Sequence, residues 1–283
     1  MIQFAWGELQ LTVLDGGTIW LDGGAMFGIV PRVLWEKERA PDERNRIGLA
    51  LNLLLIDDGK QLTLVDTGVG TNWEEKERAI YRLETKSAEE ILAPAGLTPE
   101  RVDRVVNSHL HFDHAGGNTF VDDRGRLQPS FPNAEYVVQR GELETARWRN
   151  ERTQGSYRAS SFEPLMSDDR MRLVDGETAL GSDLYLSVVP GHTPHMQMIL
   201  VHSGEGTVAF LADLVPTTSH VRYPYIMGFD LEPLTTLATK KRVLPRAASE
   251  GWRVIFEHDA ETPLATLIEG RDRLEARPVE IEV

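Results

Sequence analysis

Short apolar runs separated by turn residues predict an alternation of strands and helices along the chain. Residues 49–70 contain two apolar runs joined by an Asp-Asp-Gly turn at residues 57–59, a pattern typical of a hairpin inside a buried sheet. Further on, Ser87 and Glu90 have the spacing of a capping box and precede an apolar stretch over residues 91–97. A short helix is expected there.

The remaining pattern adds strands and one long helix to both halves of the sequence. Apolar runs bounded by turn residues predict strands over residues 104–107, 135–139, 184–189, 198–202, 207–211 and 253–256. A helix is expected over residues 234–249, whereas residues 142–170 are charged and irregular with helical stretches and read as a connecting insertion or a lid. Strands followed by helices in each half favour an α/β (α+β) fold with two sheets packed face to face and helices outside, in one domain over residues 1–283.

The composition is that of a globular protein, and its net negative charge limits the classes of partner that it can bind. The chain has 283 residues, of which 41% are hydrophobic, and this is enough to bury a large core. Its 44 acidic and 30 basic residues give a formal charge of -14, which opposes binding to nucleic acid or to an anionic membrane through phosphate groups. Because no cysteine is present, disulfides, thiolate metal ligands and a cysteine nucleophile are excluded.

The N-terminal residues 1–17 lack a basic start followed by a long apolar run, and no stretch of about 18 apolar residues occurs anywhere in the sequence. We therefore expect a cytoplasmic protein without a membrane-spanning segment.

The densest chemical signal directly follows one of the predicted strands. The segment Ser-His-Leu-His-Phe-Asp-His, residues 108–114, places three imidazoles and a carboxylate within six positions. At a strand end His109 and His111 point the same way and can reach one ion, while the turn beyond re-aims Asp113 and His114 toward a second. Ionisable groups packed this densely are costly to bury unless they are paired or bind metal, so the segment predicts a metal site.

Two ions need more ligands than these four, and three further candidates stand at predicted strand ends. They are His192 in Pro-Gly-His-Thr, Asp213 in Leu-Ala-Asp and His258 in Phe-Glu-His-Asp. Nitrogen and oxygen donors without sulfur suit zinc, and also Mn, Fe or Co. The sequence therefore predicts two divalent metal ions, with zinc as the first candidate.

The order His-x-His-x-Asp-His, then Gly-His-Thr, then Ala-Asp, then a final histidine after a strand, resembles the metallo-β-lactamase superfamily over nearly the whole chain. The resemblance implies a four-layer αββα sandwich with the site at one edge of the two sheets. It implies a ligand set in which one ion is held by His109, His111 and His192, the other by Asp113, His114 and His258, and both by the bridging Asp213. Asp66, in the segment Val-Asp-Thr-Gly, is implied to support the ligands by hydrogen bonding.

Such a site predicts a hydrolase. Two ions together lower the pKa of a shared water, and the resulting hydroxide attacks a lactone or small ester carbonyl without a serine or cysteine intermediate. Besides binding metal, Asp113 is expected to act in catalysis, where it orients the hydroxide or passes a proton to the leaving group.

The glycine-flanked stretch over residues 22–35 resembles the branch of the superfamily that holds quorum-quenching lactonases and related esterases. In this stretch Met26, Phe27 and Trp35 are expected to form an apolar wall of the substrate pocket from a loop.

Lactonases of this branch commonly carry a tyrosine three residues after the bridging aspartate, and this chain has Pro216 there. His220, Tyr223 and Tyr225 lie on the same stretch as candidates to approach the site in its place. We include His220 and Tyr223 in the predicted substrate pocket.

Two other functions remain open at this point. The same chemistry suits aryl esters or organophosphate triesters, which need a wide, aromatic and weakly charged pocket. A di-iron redox protein is the alternative from a different class, although the sequence has no glycine motif for a nucleotide cofactor. The expected partner is a small-molecule substrate, and the resemblance alone implies a homodimer through the N-terminal region as an alternative to a monomer.

Overall fold

In the computed structural model, which describes residues 1–281, the chain divides into two compact units. The first unit comprises Met1–Gly17 and Leu51–Gly176, and the second comprises Thr18–Ala50 and the chain from Glu177 onward. The single domain expected over residues 1–283 stays a prediction.

Seventeen strands are present among the described residues. They are β1 Ile2–Trp6, β2 Leu9–Asp22, β3 Arg46–Asp57, β4 Leu62–Val65, β5 Glu84–Thr85, β6 Arg104–Val106, β7 Thr119–Val121, β8 Leu127–Pro129, β9 Glu135–Gln139, β10 Met171–Val174, β11 Thr178–Ala179, β12 Leu184–Val188, β13 Gln197–Ser203, β14 Gly206–Phe210, β15 Arg253–Ile255, β16 Leu264–Glu269 and β17 Leu274–Pro278.

Eight α-helices occur in the same part of the chain. They are α1 Gly23–Phe27, α2 Arg32–Trp35, α3 Glu75–Tyr81, α4 Ala88–Leu92, α5 Phe112–Ala115, α6 Arg140–Arg147, α7 Glu163–Ser167 and α8 Pro233–Ser249. None of the helices within residues 1–281 is long and apolar enough to cross a membrane.

The large sheet of the first unit has the strand order β1-β2-β3-β4-β6-β9-β10, with β5 beside β2, and β2 and β3 continue along the chain into the second unit. Strands β4, β6, β9 and β10 are parallel neighbours. Strand β4 is buried at every position, which is why its sequence is uniformly apolar apart from one threonine.

The predicted hairpin is confirmed. Strands β3 and β4 pair antiparallel around the turn, where Asp57 Oδ1 accepts from the Gly59 main-chain N–H at 2.8 Å. Gly59 has φ +79°, a conformation that favours glycine. The Asp-Asp-Gly sequence therefore fixes the register of two strands that bury their side chains.

The predicted capping box at Ser87 and Glu90 is also confirmed, but the helix begins earlier than expected. Helix α4 spans Ala88–Leu92 and continues as a 3-10 turn over Ala93–Ala95. Gly96, at φ +70°, then ends it in the left-handed conformation.

Residues 142–170 pack into the first unit. Leu143 and Ala146 of α6, together with Phe162, form an apolar cluster with Leu110 of the histidine-rich segment and with Ala115, which directly follows it. This packing assigns the segment to the scaffold rather than to a lid.

The second unit is built on a seven-stranded sheet that runs in chain order from β11 to β17. Its neighbours are antiparallel except for β14 and β15, which are parallel. The helix predicted over residues 234–249 is confirmed as α8, although Pro245 lies inside it. Strands β16 and β17 were not anticipated, because their mixed polar and apolar residues give no clear alternation.

The expectation of a loop over residues 22–35 is wrong. Helix α1 begins after Asp22, whose side chain accepts from the Ala25 main-chain N–H at 2.8 Å, and α2 follows at Arg32–Trp35. The paired glycines at the start of α1 have low helix propensity, so the sequence did not predict this helix. The Asp22 cap and the burial of Met26 and Phe27 stabilise it.

Gly28 ends α1 at φ +57°, and a Cβ at this position would lie 2.2 Å from the main-chain oxygen of Ile226. We expect Gly28→Ala to lower the free energy of unfolding by about 2 to 6 kcal/mol, because backbone strain and overpacking add. Gly59→Ala is the control, since it also has positive φ but no atom within 4 Å, and about 1 kcal/mol is expected. Urea denaturation followed by tryptophan fluorescence measures both, and equal losses would contradict the packing argument.

Candidate metal centre

In the first unit the predicted ligands follow strand β6, and the predicted supporting aspartate follows its neighbour β4. Because β4 and β6 are parallel, their carboxyl ends lie at the same edge of the sheet. This brings Asp66 and the histidine-rich segment together, although they are 42 residues apart from Asp66 to Ser108.

The three imidazoles of the segment are buried and in mutual contact. The ring centroids of His109 and His114 lie 3.9 Å apart, and those of His109 and His111 lie 4.6 Å apart. Helix α5 begins just after His111, so Asp113 and His114 leave the strand direction, and His114 Nε2 lies 3.8 Å from Asp113 Oδ1. The strand end and the following turn thus bring four nitrogen and oxygen donors into one buried cluster.

Asp66 makes the contacts expected of a supporting carboxylate. One oxygen accepts from the Ser108 main-chain N–H at 2.7 Å, and the other contacts the Ser108 hydroxyl at 2.5 Å and His114 Nδ1 at 3.1 Å. Asp66 has φ +56°, a left-handed conformation that is uncommon for an aspartate. Its side chain contacts Ser108 and His114 from this conformation. A proton on Nδ1 of His114 leaves Nε2 as the electron-pair donor.

In the second unit Asp213 lies between two of the predicted histidines. Its Oδ2 is 3.1 Å from His192 Nε2, and its Oδ1 is 3.2 Å from His258 Nε2. Asp213 follows β14 and His258 follows the parallel neighbour β15, so their proximity is again set by two parallel strand ends. All three side chains are buried.

The opposite nitrogens of these histidines are fixed by acceptors. His192 Nδ1 lies 2.9 Å from Asp230 Oδ1, and His258 Nδ1 lies 2.9 Å from the main-chain oxygen of Ala50. Since neither acceptor can donate, both Nδ1 atoms carry the hydrogen.

The hydrogen positions on these histidines bear on whether His192, Asp213 and His258 can bind a metal ion. In a neutral imidazole with hydrogen on Nδ1, Nε2 is an acceptor, and here it faces a carboxylate oxygen. Two acceptors about 3 Å apart repel each other unless a proton or a cation lies beside them. The donor set of His192, Asp213 and His258 therefore fits divalent cations bound through Nε2 and carboxylate oxygen.

Asp230 was missed by the sequence analysis, because nothing local marks it as different from a turn aspartate. It is buried, and its second oxygen accepts from the Thr236 hydroxyl of α8 at 2.6 Å. The main chain reinforces the link, since the Leu231 N–H donates to the His192 carbonyl at 3.0 Å. Thr236 of helix α8 thus holds Asp230, and Asp230 in turn fixes the orientation of the His192 ring.

The residues predicted to form a substrate pocket are brought together in the second unit, but as a buried stack. Phe27 stacks on Trp35 at 5.3 Å and on His220 at 5.0 Å between ring centroids, and its edge meets Tyr225 at 5.8 Å. Met26, Phe27, Trp35 and His220 are each at most 1% exposed.

Tyr223 is half-buried and forms no ring contact with this stack among the described residues, where Tyr225 takes the position next to Phe27. The role of this group as a pocket wall stays a prediction.

A second aromatic cluster, also missed, adjoins the histidine-rich segment in the first unit. The rings of Trp73 and Tyr81 each lie 5.2 Å from the ring of Phe112, and the guanidinium of Arg158 lies 4.2 Å from the Trp73 ring centroid. Burial and the nearby charge of Asp113 raise the pKa of the Tyr81 hydroxyl, so it is protonated near neutral pH.

The geometry defines a metalloprotein site of buried histidines and aspartates, and comparison with known sequences places it in a family. The model of the metallo-beta-lactamase superfamily matches residues 47–269, and the chain belongs to that superfamily. The predicted family and its mixed α/β fold are confirmed.

Among relatives, an N-acyl homoserine lactonase of Bacillus cereus is 29% identical over 231 residues, which cover 77% of this chain and 84% of that protein. For other Bacillus lactonases the match spans 61% of their length.

Solved structures agree with the fold. A probable metal-dependent hydrolase from Staphylococcus aureus superposes with a TM-score of 0.89 at 27% identity and covers 99% of this chain and 100% of its own. A dizinc quorum-quenching lactonase superposes with a TM-score of 0.82 at 22% identity and covers 100% and 98% respectively. The prediction of a hydrolase is confirmed at the level of the enzyme class by these relatives.

The buried ring of His220 predicts that the stability of the protein depends on pH. Burial lowers the pKa of its ring from 6.5 to about 3 and outweighs the hydrogen bond to the Met26 carbonyl, which acts in the opposite direction. The unfolded chain binds a proton below pH 6.5 that the folded state excludes until about pH 3, so this group's contribution to stability is complete above pH 6.5 and lost as pH falls.

We expect the metal-free wild type to lose about 2 kcal/mol more free energy of unfolding than His220→Gln between pH 7 and pH 5. Urea denaturation at both pH values measures the difference. His195→Gln, at an exposed histidine, is the control and should behave as wild type. Parallel pH profiles for His220→Gln and wild type would contradict the assignment of a neutral buried ring.

Proposed function

We propose that this chain is a dinuclear metal-dependent hydrolase that opens lactones or cleaves small esters. Two divalent ions would be held by the ligand set His109, His111, His192, Asp113, His114 and His258, with Asp213 as the ligand shared by both. When bound, such ions activate water and polarise the substrate carbonyl. Zinc is the first candidate, because the donors are nitrogen and oxygen and one of the similar structures is a dizinc lactonase.

The observation that carries this proposal is the arrangement around Asp213. Both oxygens of one carboxylate face an imidazole Nε2 at 3.1 and 3.2 Å, while Nδ1 of each ring is committed to another acceptor. When two ions are bound, one oxygen of Asp213 would be available to each of them beside the Nε2 atoms of His192 and His258. In the first unit His114 repeats the scheme, with Nδ1 on Asp66.

The protein's own contribution is to aim the donors and to manage protons. Asp230 and Asp66 hold histidines with Nε2 presented, so binding of the ions needs no ring rotation. Asp113 is the acid-base residue of the proposal, because it is only 6% exposed and can orient the attacking water or pass its proton to the leaving oxygen.

A lactone with an apolar tail is the proposed substrate. It is supported by the lactonase relatives. The proposed pocket consists of the apolar residues Met26, Phe27 and Trp35, with His220 and Tyr223 as its polar members. The charge of -14 disfavours nucleic acid as a substrate. Location in the cytoplasm stays a prediction.

The test pairs metal analysis with turnover. We expect two zinc ions per chain by mass spectrometry, and hydrolysis of an N-acyl homoserine lactone that chelation removes and zinc restores. His192→Ala should lower metal content and reduce kcat by about 100-fold or more, whereas His195→Ala, three residues along and exposed, should retain both. Turnover of paraoxon or an aryl ester in preference to lactones would overturn the substrate, and two iron ions with no hydrolysis would overturn the reaction class.

A homodimer is part of the proposal. Ile29 is 89% exposed, and Val33 and Leu34 are 63% and 48% exposed, so the segment around α2 presents neighbouring apolar side chains to solvent. Apolar groups clustered in this way are typical of a protein interface.

We expect wild-type protein to have the mass of a dimer by light scattering and the double variant Ile29→Glu/Leu34→Glu to have that of a monomer. Trp148→Glu, which changes an isolated side chain that is 85% exposed, is the control and should leave the mass unchanged. A monomeric wild type would remove the homodimer from the proposal.

A further inference from the structure

Helix α6 carries a carboxylate that the proposed reaction does not use. Glu142 is 0% exposed, while Glu144 on the same helix is exposed. Burial of a carboxylate costs several kcal/mol unless hydrogen bonds or charges compensate it. The contacts of Glu142 must therefore offset the cost of its burial.

Its contacts lead to the middle of the histidine-rich segment. Glu142 Oε1 accepts from the main-chain N–H of Leu110 at 3.1 Å and from the hydroxyl of Tyr157 at 3.0 Å. Leu110 is the residue between His109 and His111, so the carboxylate holds the backbone at the point from which both imidazoles project.

Tyr157 makes a second connection to the same segment. Its ring lies 4.6 Å from the ring of His111 at an interplanar angle of 62°, which is an edge-to-face contact. The backbones of His111 and Tyr157 form a β-bridge, and the Phe112 N–H donates to the Ser156 carbonyl at 2.9 Å. The tyrosine that Glu142 orients thus packs on one predicted ligand and is joined to it through the main chain.

Apolar side chains surround this connection. The Leu110 side chain packs with Leu143, Ala146 and Phe162 in the cluster that also includes Tyr157. Leu110 is thus anchored in this cluster, while the rings of its two neighbours, His109 and His111, contact each other.

We propose that Glu142 and Tyr157 are positioning residues that set the orientation of His109 and His111 for metal binding. This inference rests on the proposed function, because it assigns the two histidines as ligands. Through it, the segment over residues 142–170 acts as the support of the metal centre.

A merely structural role for Glu142 predicts a different pattern of effects. It would lower the melting temperature of the metal-free protein and leave the affinity of the folded protein for metal unchanged. A positioning role changes the affinity and the ligand geometry, because the backbone at Leu110 and the ring of His111 are no longer held.

The experiment measures zinc affinity by competition with a chromophoric chelator, and the visible absorption spectrum after cobalt is substituted for zinc. We expect Glu142→Leu to weaken the affinity by about 10- to 100-fold and to alter the cobalt spectrum. Glu142→Gln should restore wild-type affinity, since its amide oxygen still accepts both hydrogen bonds. Glu144→Leu, on the exposed face of the same helix, is the matched control and should match wild type in both measurements.

The outcomes separate this inference from the proposed function. If wild type binds two zinc ions and Glu142→Leu binds them with equal affinity and an unchanged cobalt spectrum, the positioning role is overturned and the hydrolase remains. If wild type binds no zinc, the proposed metal centre itself fails. Should Glu142→Leu not fold, Tyr157→Phe decides, because it removes only the hydroxyl and should weaken zinc affinity while its apo melting temperature is compared with that of wild type.

Discussion

The hydrogen bonds that fix Nδ1 of the buried histidines are the constraint on which the candidate site depends. Asp230 holds His192 in this way, a main-chain carbonyl holds His258, and Asp66 holds His114. An imidazole whose Nδ1–H is committed offers its lone pair at Nε2, which is the atom a metal can use. The supporting acceptors therefore leave Nε2 of these three histidines as the electron-pair donor.

Pairs of parallel strands bring the candidate ligands and their supporting residues together, and one such pair occurs in each unit. Strands β4 and β6 bring Asp66 to the histidine-rich segment, and strands β14 and β15 bring Asp213 to His258. Carboxyl ends of parallel neighbours share one sheet edge, where the chain leaves the sheet and side chains of both strand ends lie close together. Left-handed backbone at Asp66 and Ala212 lies at two of these ends, which shows that the turns are held by their surroundings.

Helices contribute support rather than ligands. Helix α8 reaches His192 through Thr236 and Asp230, and helix α6 reaches the segment around Leu110 through Glu142. In both cases a buried carboxylate accepts two hydrogen bonds, which compensates the cost of its burial and ties two elements together.

The sequence alone determined the hairpin, the capping box, the long helix and the candidate ligand residues, because each is encoded by a pattern within a few positions. Only the tertiary structure decided which groups support the ligands, since Asp230 is 38 residues from His192 and Glu142 is 32 residues from Leu110. It also turned the expected loop over residues 22–35 into two helices around a buried aromatic stack. Contacts between distant segments and the burial of a side chain depend on how helices and strands pack. Local propensity does not encode that packing.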